Sequence, residues 1–263
     1  MTRDSAVRVG LVYPDLLGTY GDRGNAVVLV DRCRRRGIDA AMVEVPAGEP
    51  IPDSLDVYLF GGGEDDAQIM AAAGMRESRA AIDRAIAGGG AVFAVCAGFQ
   101  LLGTTYEASD GEILDGLGLV DLSTRAGDGR LIGECVVEPG SASGLPVLTG
   151  FENHGGRTTL GPGVAALGRV TVGHGNGVAD AAGTLADGVL AGRILGTYLH
   201  GPALPRNPAL ADHLLGWVLG TDAITPLTDP VDTIVAQLRS ERLAAAQLSG
   251  FAARRRDWHL NRG

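Results

Sequence analysis

The chain has 263 residues, 45% of them hydrophobic, with 41 glycines and a formal net charge of −9. That length suits one large α/β domain or one domain with a tail, and the acidic balance argues against a nucleic-acid partner. All 22 basic residues are arginine, which excludes a Walker lysine and Schiff-base chemistry and places any ATP that the reaction needs on another subunit.

Residues 7–13 predict a first buried strand, closed by Pro14. A helix is expected over about 25–36, with Gly37 past its end in the position that favours a left-handed backbone. Residues 41–45 and 56–60 read as further strands, the second closed by Gly61-Gly62-Gly63, and 65–87 as a helical region. Gly88-Gly89-Gly90 then leads into the apolar run 91–95, followed by Cys96 and a helical pattern. Strands alternating with helices imply a mainly parallel central sheet flanked by helices, the α/β class. Past 110 the pattern loosens: short strands are expected near 132–138, 166–172 and 189–190, with 151–157 as a loop. The apolar strand 194–199 ends at His200. A helix opens with Asn207 as cap and Pro208 in the first turn and stops before Gly220. Another opens at Asp229-Pro230 and runs to about 248, and Arg254-Arg255-Arg256 reads as a solvated tail. Residues 1–220 are thus expected to form the main domain and 221–263 a C-terminal helix with a basic tail.

No apolar stretch approaches the roughly 20 residues that span a bilayer. The first five residues lack a signal-peptide pattern. The three cysteines form neither a disulfide framework nor a zinc pattern. A cytoplasmic location is the default expectation.

Cys96 is the residue most suited to chemistry. It stands between a buried strand and a helix, flanked by Ala94 and Gly98. This is the nucleophile-elbow arrangement with Cys in place of Ser. Small neighbours suit a corner where strand and helix backbones approach closely. A helix N-terminus also favours thiolate. The alternative is an inert buried thiol, the common fate of a free cysteine, and Cys33 and Cys135 are read that way. A thiol needs a base. His200, at the end of a buried strand where α/β sites form, is the first candidate, and His154 the second. Backbone N–H groups of Gly62, Gly63 and Ala97 can form an oxyanion hole, unless the three glycines are only a tight turn.

Cys96-Ala97-Gly98-Phe99-Gln100, the Gly61–Gly63 loop and the strand-end His200 resemble a class I glutamine amidotransferase. Within that class, four stretches of this chain resemble the GatD family: 13–15, 20–25, 150–156 and 196–202. GatD proteins are glutaminase subunits of lipid II isoglutaminyl synthases and are related to cobyric acid synthase. The resemblance covers roughly residues 7–220, with Gly18 and Gly177 standing where that pattern has Asn. It implies the class I amidotransferase fold, flavodoxin-like, and attack by Cys96 on the glutamine side-chain amide. It further implies that Gln100 helps to hold the substrate and that Arg130 binds it. A guanidinium fork suits the α-carboxylate chemically.

The implied partner is a MurT-like Mur ligase subunit that holds ATP and Mg²⁺, with no cofactor in this chain. The ligase would use the ammonia to amidate the α-carboxyl of D-glutamate in lipid II. An amidotransferase serving another synthetase, such as a cobyrinate amidase, and a non-enzymatic partner protein with an inert Cys96 are the alternatives. Most class I triads carry Glu two residues after the His, where this chain has Pro202. Asp187 or Asp212 could fold back, and the resemblance favours an aspartate from the MurT-like subunit.

Overall fold

The computed structural model describes residues 6–18, 21–108, 110–228 and 230–260. The first half of the chain alternates strand and helix: β1 (Val7–Val12), α1 (Arg23–Arg34), β2 (Ala40–Val45), β3 (Val57–Phe60), α2 (Asp65–Glu77), α3 (Arg79–Ala87), β4 (Ala91–Val95) and α4 (Ala97–Leu101). The second half is rich in strands: β5 (Thr105–Glu107), β6 (Ile113–Asp115), β7 (Leu122–Pro139), β8 (Leu148–Leu160), β9 (Gly168–Val172), β10 (Ala186–Asp187), β11 (Val189–Ala191) and β12 (Ile194–Thr197). Three helices follow: α5 (Ala203–Arg206), α6 (Pro208–Leu219) and α7 (Pro230–Leu260).

The central sheet has the order β11-β12-β4-β3-β1-β2. Only the edge strand β11 runs antiparallel. Strands β3, β4 and β12 are buried at every position, as expected where helices cover both faces of a parallel sheet. Core side chains such as Phe60, Phe93, Leu11 and Leu195 fill the space between sheet and helices. Cys96 and His200 follow adjacent parallel strands, β4 and β12, so both emerge at the same carboxyl edge of the sheet. Ligand sites of open α/β sheets form at that edge.

A second, six-stranded sheet was not expected. Its order is β10-β9-β7-β5-β6, with β8 paired to β7. Strands β7 and β8 form a long antiparallel hairpin whose register shifts between Ala126 and Leu131. The shift bulges residues 127–130 out of the ladder, with Gly129 at φ +131°. The predicted 132–138 strand is the C-terminal part of β7, and the stretch expected as a loop at 151–157 is the middle of β8. A two-way backbone exchange between Phe151 and His200 (His200 N–H to Phe151 O 2.9 Å, the reverse 3.1 Å) ties this hairpin to the end of β12.

Elsewhere the differences are local. The 65–87 helix breaks at Ser78, whose hydroxyl accepts the buried N–H of Ile51 at 3.0 Å. Asn207 does occupy the cap of α6, but its side chain caps nothing there. It instead accepts from Thr149 N–H and donates to Thr149 O. The last helix continues to Leu260. The Arg254–Arg256 run therefore lies in helical backbone, and its side chains fall outside the described residues.

Candidate active site

Cys96 occupies a backbone corner with φ +52° and ψ −108°, a region that non-glycine residues enter only when surrounding structure imposes it. The imposing contacts are visible. Cys96 N–H donates to Thr197 O at 3.0 Å, and Gly98 N–H to Gly61 O at 3.0 Å. A Cβ on Gly98 would lie 2.6 Å from Phe60 O, so the first residues of α4 can sit against β3 only with glycine there. The thiol is thereby held at the sheet edge. Helix α4 has five residues, so its dipole is weak and the thiol depends on its neighbours for activation.

The principal neighbour is His200, 1% exposed. Burial opposes its charged form, but Asp22 and Cys96 outweigh that cost and push its pKa up to about 10. Asp22 is 2% exposed, in the turn that leads into α1. Its Oδ2 lies 3.8 Å from His200 Nδ1 and accepts the N–H of Gly62 at 2.7 Å. Asp187 and Asp212, the two carboxylates that the sequence left open, are committed elsewhere. Asp187 accepts from Thr197 Oγ1 and from Tyr198 N–H. Asp212 is paired with Arg32 and Arg36.

The oxyanion expectation is corrected at one position. Gly62 N–H points at Asp22 and is not among the groups lining the cavity beside Cys96. Gly63 and Ala97 do line it, as do Gln100 and Arg130. The cavity measures about 240 Å³ and is also walled by Glu64, Gln68, Glu107, Ala126, Gly127, Gly129, His154, Gly155 and Gly156. Gln100 is more firmly committed than a substrate ligand would be. Its Oε1 accepts from Gln68 Nε2 at 2.8 Å, and its Nε2 donates to Tyr198 OH at 3.1 Å. Arg130 comes from the β7 bulge. Its Nε and Nη2 donate to the side-chain and main-chain oxygens of Asn153 at 3.0 and 3.2 Å, which anchors the guanidinium at the cavity wall.

His154 is not a second base. It stacks on Tyr198 with ring centroids 3.6 Å apart, and burial pulls its pKa down to about 3. At neutral pH the ring is uncharged. With Nδ1 donating to Gly156 O at 3.0 Å, the buried Nε2 is left as an acceptor in the cavity wall.

Asp22, Glu64, Glu107 and Gln68 were not singled out in the sequence. The available signal was for Asp22, which falls in the stretch 20–25 that carries the family resemblance, although no role was read for it there. The two glutamates stand on different elements, and nothing local marks them. Among the described residues no cluster of three potential ligands could hold a metal ion, and no helix is long and apolar enough to cross a membrane.

This geometry agrees with the comparisons. A family model for the CobB/CobQ-like glutamine amidotransferase domain matches residues 8–208. The GatD subunit of the lipid II isoglutaminyl synthase (glutamine-hydrolyzing) of Staphylococcus aureus strain N315 is 38% identical over 202 residues, covering 76% of this chain and 79% of that protein. Its Streptococcus pneumoniae counterpart is 33% identical, covering 80% and 79%. A cobyric acid synthase of Pelotomaculum thermopropionicum is 36% identical over 66% of this chain but only 34% of its own length. In three dimensions a crystal structure of a glutamine amidotransferase matches with a TM-score of 0.52 at 20% identity, over 80% of this chain and 98% of its own, a likeness of fold. With a strand-end cysteine beside a buried strand-end histidine, and the family match spanning residues 8–208, the chain belongs to the CobB/CobQ-like glutamine amidotransferase family.

Proposed function

We propose that this chain is the glutaminase subunit of a two-part amidating enzyme, and that it hydrolyses L-glutamine to glutamate and ammonia at Cys96. The observation that carries the reading is a strained strand–helix cysteine that lines a small polar cavity and is paired behind it with a buried, raised-pKa histidine. His200 takes the thiol proton, and Cys96 sulfur bonds to the side-chain amide carbon. The N–H groups of Ala97 and Gly63 face the developing oxyanion. The C–N bond then breaks, and His200 gives its proton to the departing ammonia. Water, deprotonated by the same imidazole, cleaves the thioester, releasing glutamate and restoring the thiol.

The cavity suits a zwitterion. Arg130 offers a fork to the α-carboxylate, and Glu64 and Glu107 stand on the wall for the α-ammonium. Gln100 then acts through the wall it braces.

The GatD relatives are each a subunit of a lipid II isoglutaminyl synthase, which supports a second subunit here: the ammonia passes to a MurT-like ligase, and ATP and Mg²⁺ belong to that subunit. The acceptor is the D-glutamate α-carboxyl of lipid II, and the complex works in the cytoplasm. The test is amidation by the co-purified complex. Cys96→Ala abolishes amidation driven by glutamine, while high external ammonia restores it. Glutamine-dependent amidation surviving in Cys96→Ala contradicts the reading.

A further inference from the structure

Helix α7 takes no part in the chemistry at Cys96, yet its side chains build a groove against α5. We propose that this groove is a docking face for the ligase subunit, and that it receives an acidic segment of that subunit with an apolar side chain beside its carboxylates. The inference rests on the two-subunit reading of the proposed function.

The groove measures about 330 Å³ and is lined by Pro205 and Arg206 of α5 and by Val235, Leu238, Arg239 and Arg242 of α7. The four α7 residues are three, four and seven positions apart and so share one helix face. Val231 and Ile234 stand one and two turns back along α7, and both are more than half exposed, as is Leu238. Aliphatic side chains gathered on one helix face and left in water mark an interaction site, where scattered single ones do not.

The charge balance says what covers this face. Three arginines border the groove. Glu134 accepts from Arg206 Nη2 at 3.2 Å and from Arg242 Nη1 at 3.4 Å, and it is the carboxylate these arginines share. Arg206 Nη1 and Arg239 Nη2 are buried with no hydrogen-bond partner among the described residues, and burial pulls the pKa of Arg239 down. A desolvated guanidinium is costly until a counter-charge reaches it. The whole chain carries −9, so this local excess of positive charge runs against the sign of the molecule. A partner's carboxylates supply what is missing, and guanidinium forks hold them with directional hydrogen bonds. Aliphatic side chains with arginines among them are the composition of a protein interface. A nucleic-acid strand would call for a longer basic track along its phosphates.

The groove also lies where a receiver of ammonia has to sit. Arg206 packs on the turn that follows His200: a Cβ on Gly201 would lie 3.1 Å from Arg206 Cδ. Thr149 of β8 lines the groove, and Phe151 of the same strand exchanges backbone hydrogen bonds with His200. A subunit seated on the groove therefore bears on the elements that carry the histidine.

The test is assembly of the full chain with its ligase subunit. Leu238→Asp combined with Arg242→Glu changes two exposed side chains. This double variant should raise the dissociation constant about 10-fold or more and flatten its dependence on salt. Its melting temperature and its rate of Cys96 alkylation, measured without the partner, should stay at wild-type values. An unchanged dissociation constant overturns the proposal. Should the variant not fold, hydrogen exchange on the wild-type complex decides. Amides of residues 231–242 should gain protection when the ligase binds, together with a ligase segment that carries Asp or Glu next to an apolar residue. No gain over 231–242, or a protected ligase segment without carboxylates, contradicts the proposal. Protection that appears in the isolated chain as its concentration rises assigns the face to a second copy and overturns it too. A complex that assembles through this face yet hydrolyses no glutamine overturns the glutaminase reading and leaves the docking face standing.

Discussion

Arg130 lies on a bulge and donates two hydrogen bonds to Asn153 while facing the cavity. If it receives the substrate carboxylate, Arg130→Ala should raise KM for glutamine about 10-fold or more with a smaller change in kcat. Lysine should restore only part of the loss, since it offers a point charge and no planar fork. Steady-state kinetics on the two variants check this. Buried His154 carries a second prediction. Its folded pKa of about 3 lies below the usual 6.5, so the unfolded chain takes up a proton that the folded chain refuses as pH falls from 6.5 toward 3. Stability is therefore lost across that window, by about 2 kcal/mol between pH 7 and pH 5 from this one group. Urea melts of His154→Gln at the two pH values should show a correspondingly smaller drop. Cys96, His200 and Arg130 stood out in the sequence because strand ends, small flanking residues and family motifs mark them. Asp22 did not stand out as a neighbour of His200. The two residues stand near opposite ends of the chain, and only the sheet order, with β1 between β2 and β3 and β4 beyond, brings them together.

The element that most shapes the cavity is the β7–β8 hairpin, and it was the least legible. Gly127, Gly129, Gly133, Gly155 and Gly156 make both strands look like loops by propensity. Their strand character comes from the long antiparallel ladder itself, which no local window contains. The hairpin is also locked from inside. Arg157 on β8 donates to Gly155 O and Gly156 O on its own strand and to Gly129 O on the bulge. Arg157→Ala should free the bulge that carries Arg130. The expected result is a several-fold rise in KM for glutamine with a melting temperature within a few degrees of wild type. An unchanged KM would detach the bulge geometry from substrate binding. The β4–α4 corner, by contrast, was readable, because a buried strand, a single Cys and a Gly two residues on have few other structural uses.

At the scale of the whole molecule, the alternating strands and helices of the first half were plain in the sequence because β1, β3 and β4 are short, almost wholly buried runs. The second sheet was hidden because its strands pair across long separations. Helix α7 is tied to this body through Arg32 of α1, nearly buried, which pairs with both Asp212 of α6 and Asp232 of α7. Arg36 still pairs with Asp212 and Arg35 with Asp232, so Arg32→Met loses charge-assisted hydrogen bonds without stranding a carboxylate and should cost about 2 kcal/mol of stability, read by denaturant melts. The central claim is that this body presents Cys96 as a nucleophile toward glutamine. Its most direct test is intact-protein and peptide mass spectrometry after exposure to the glutamine analogue 6-diazo-5-oxo-L-norleucine. The account predicts one adduct per chain, located on Cys96, slowed by excess L-glutamine and lost in Cys96→Ala. An adduct on Cys33 or Cys135, or labelling of Cys96 that glutamine does not slow, would contradict it.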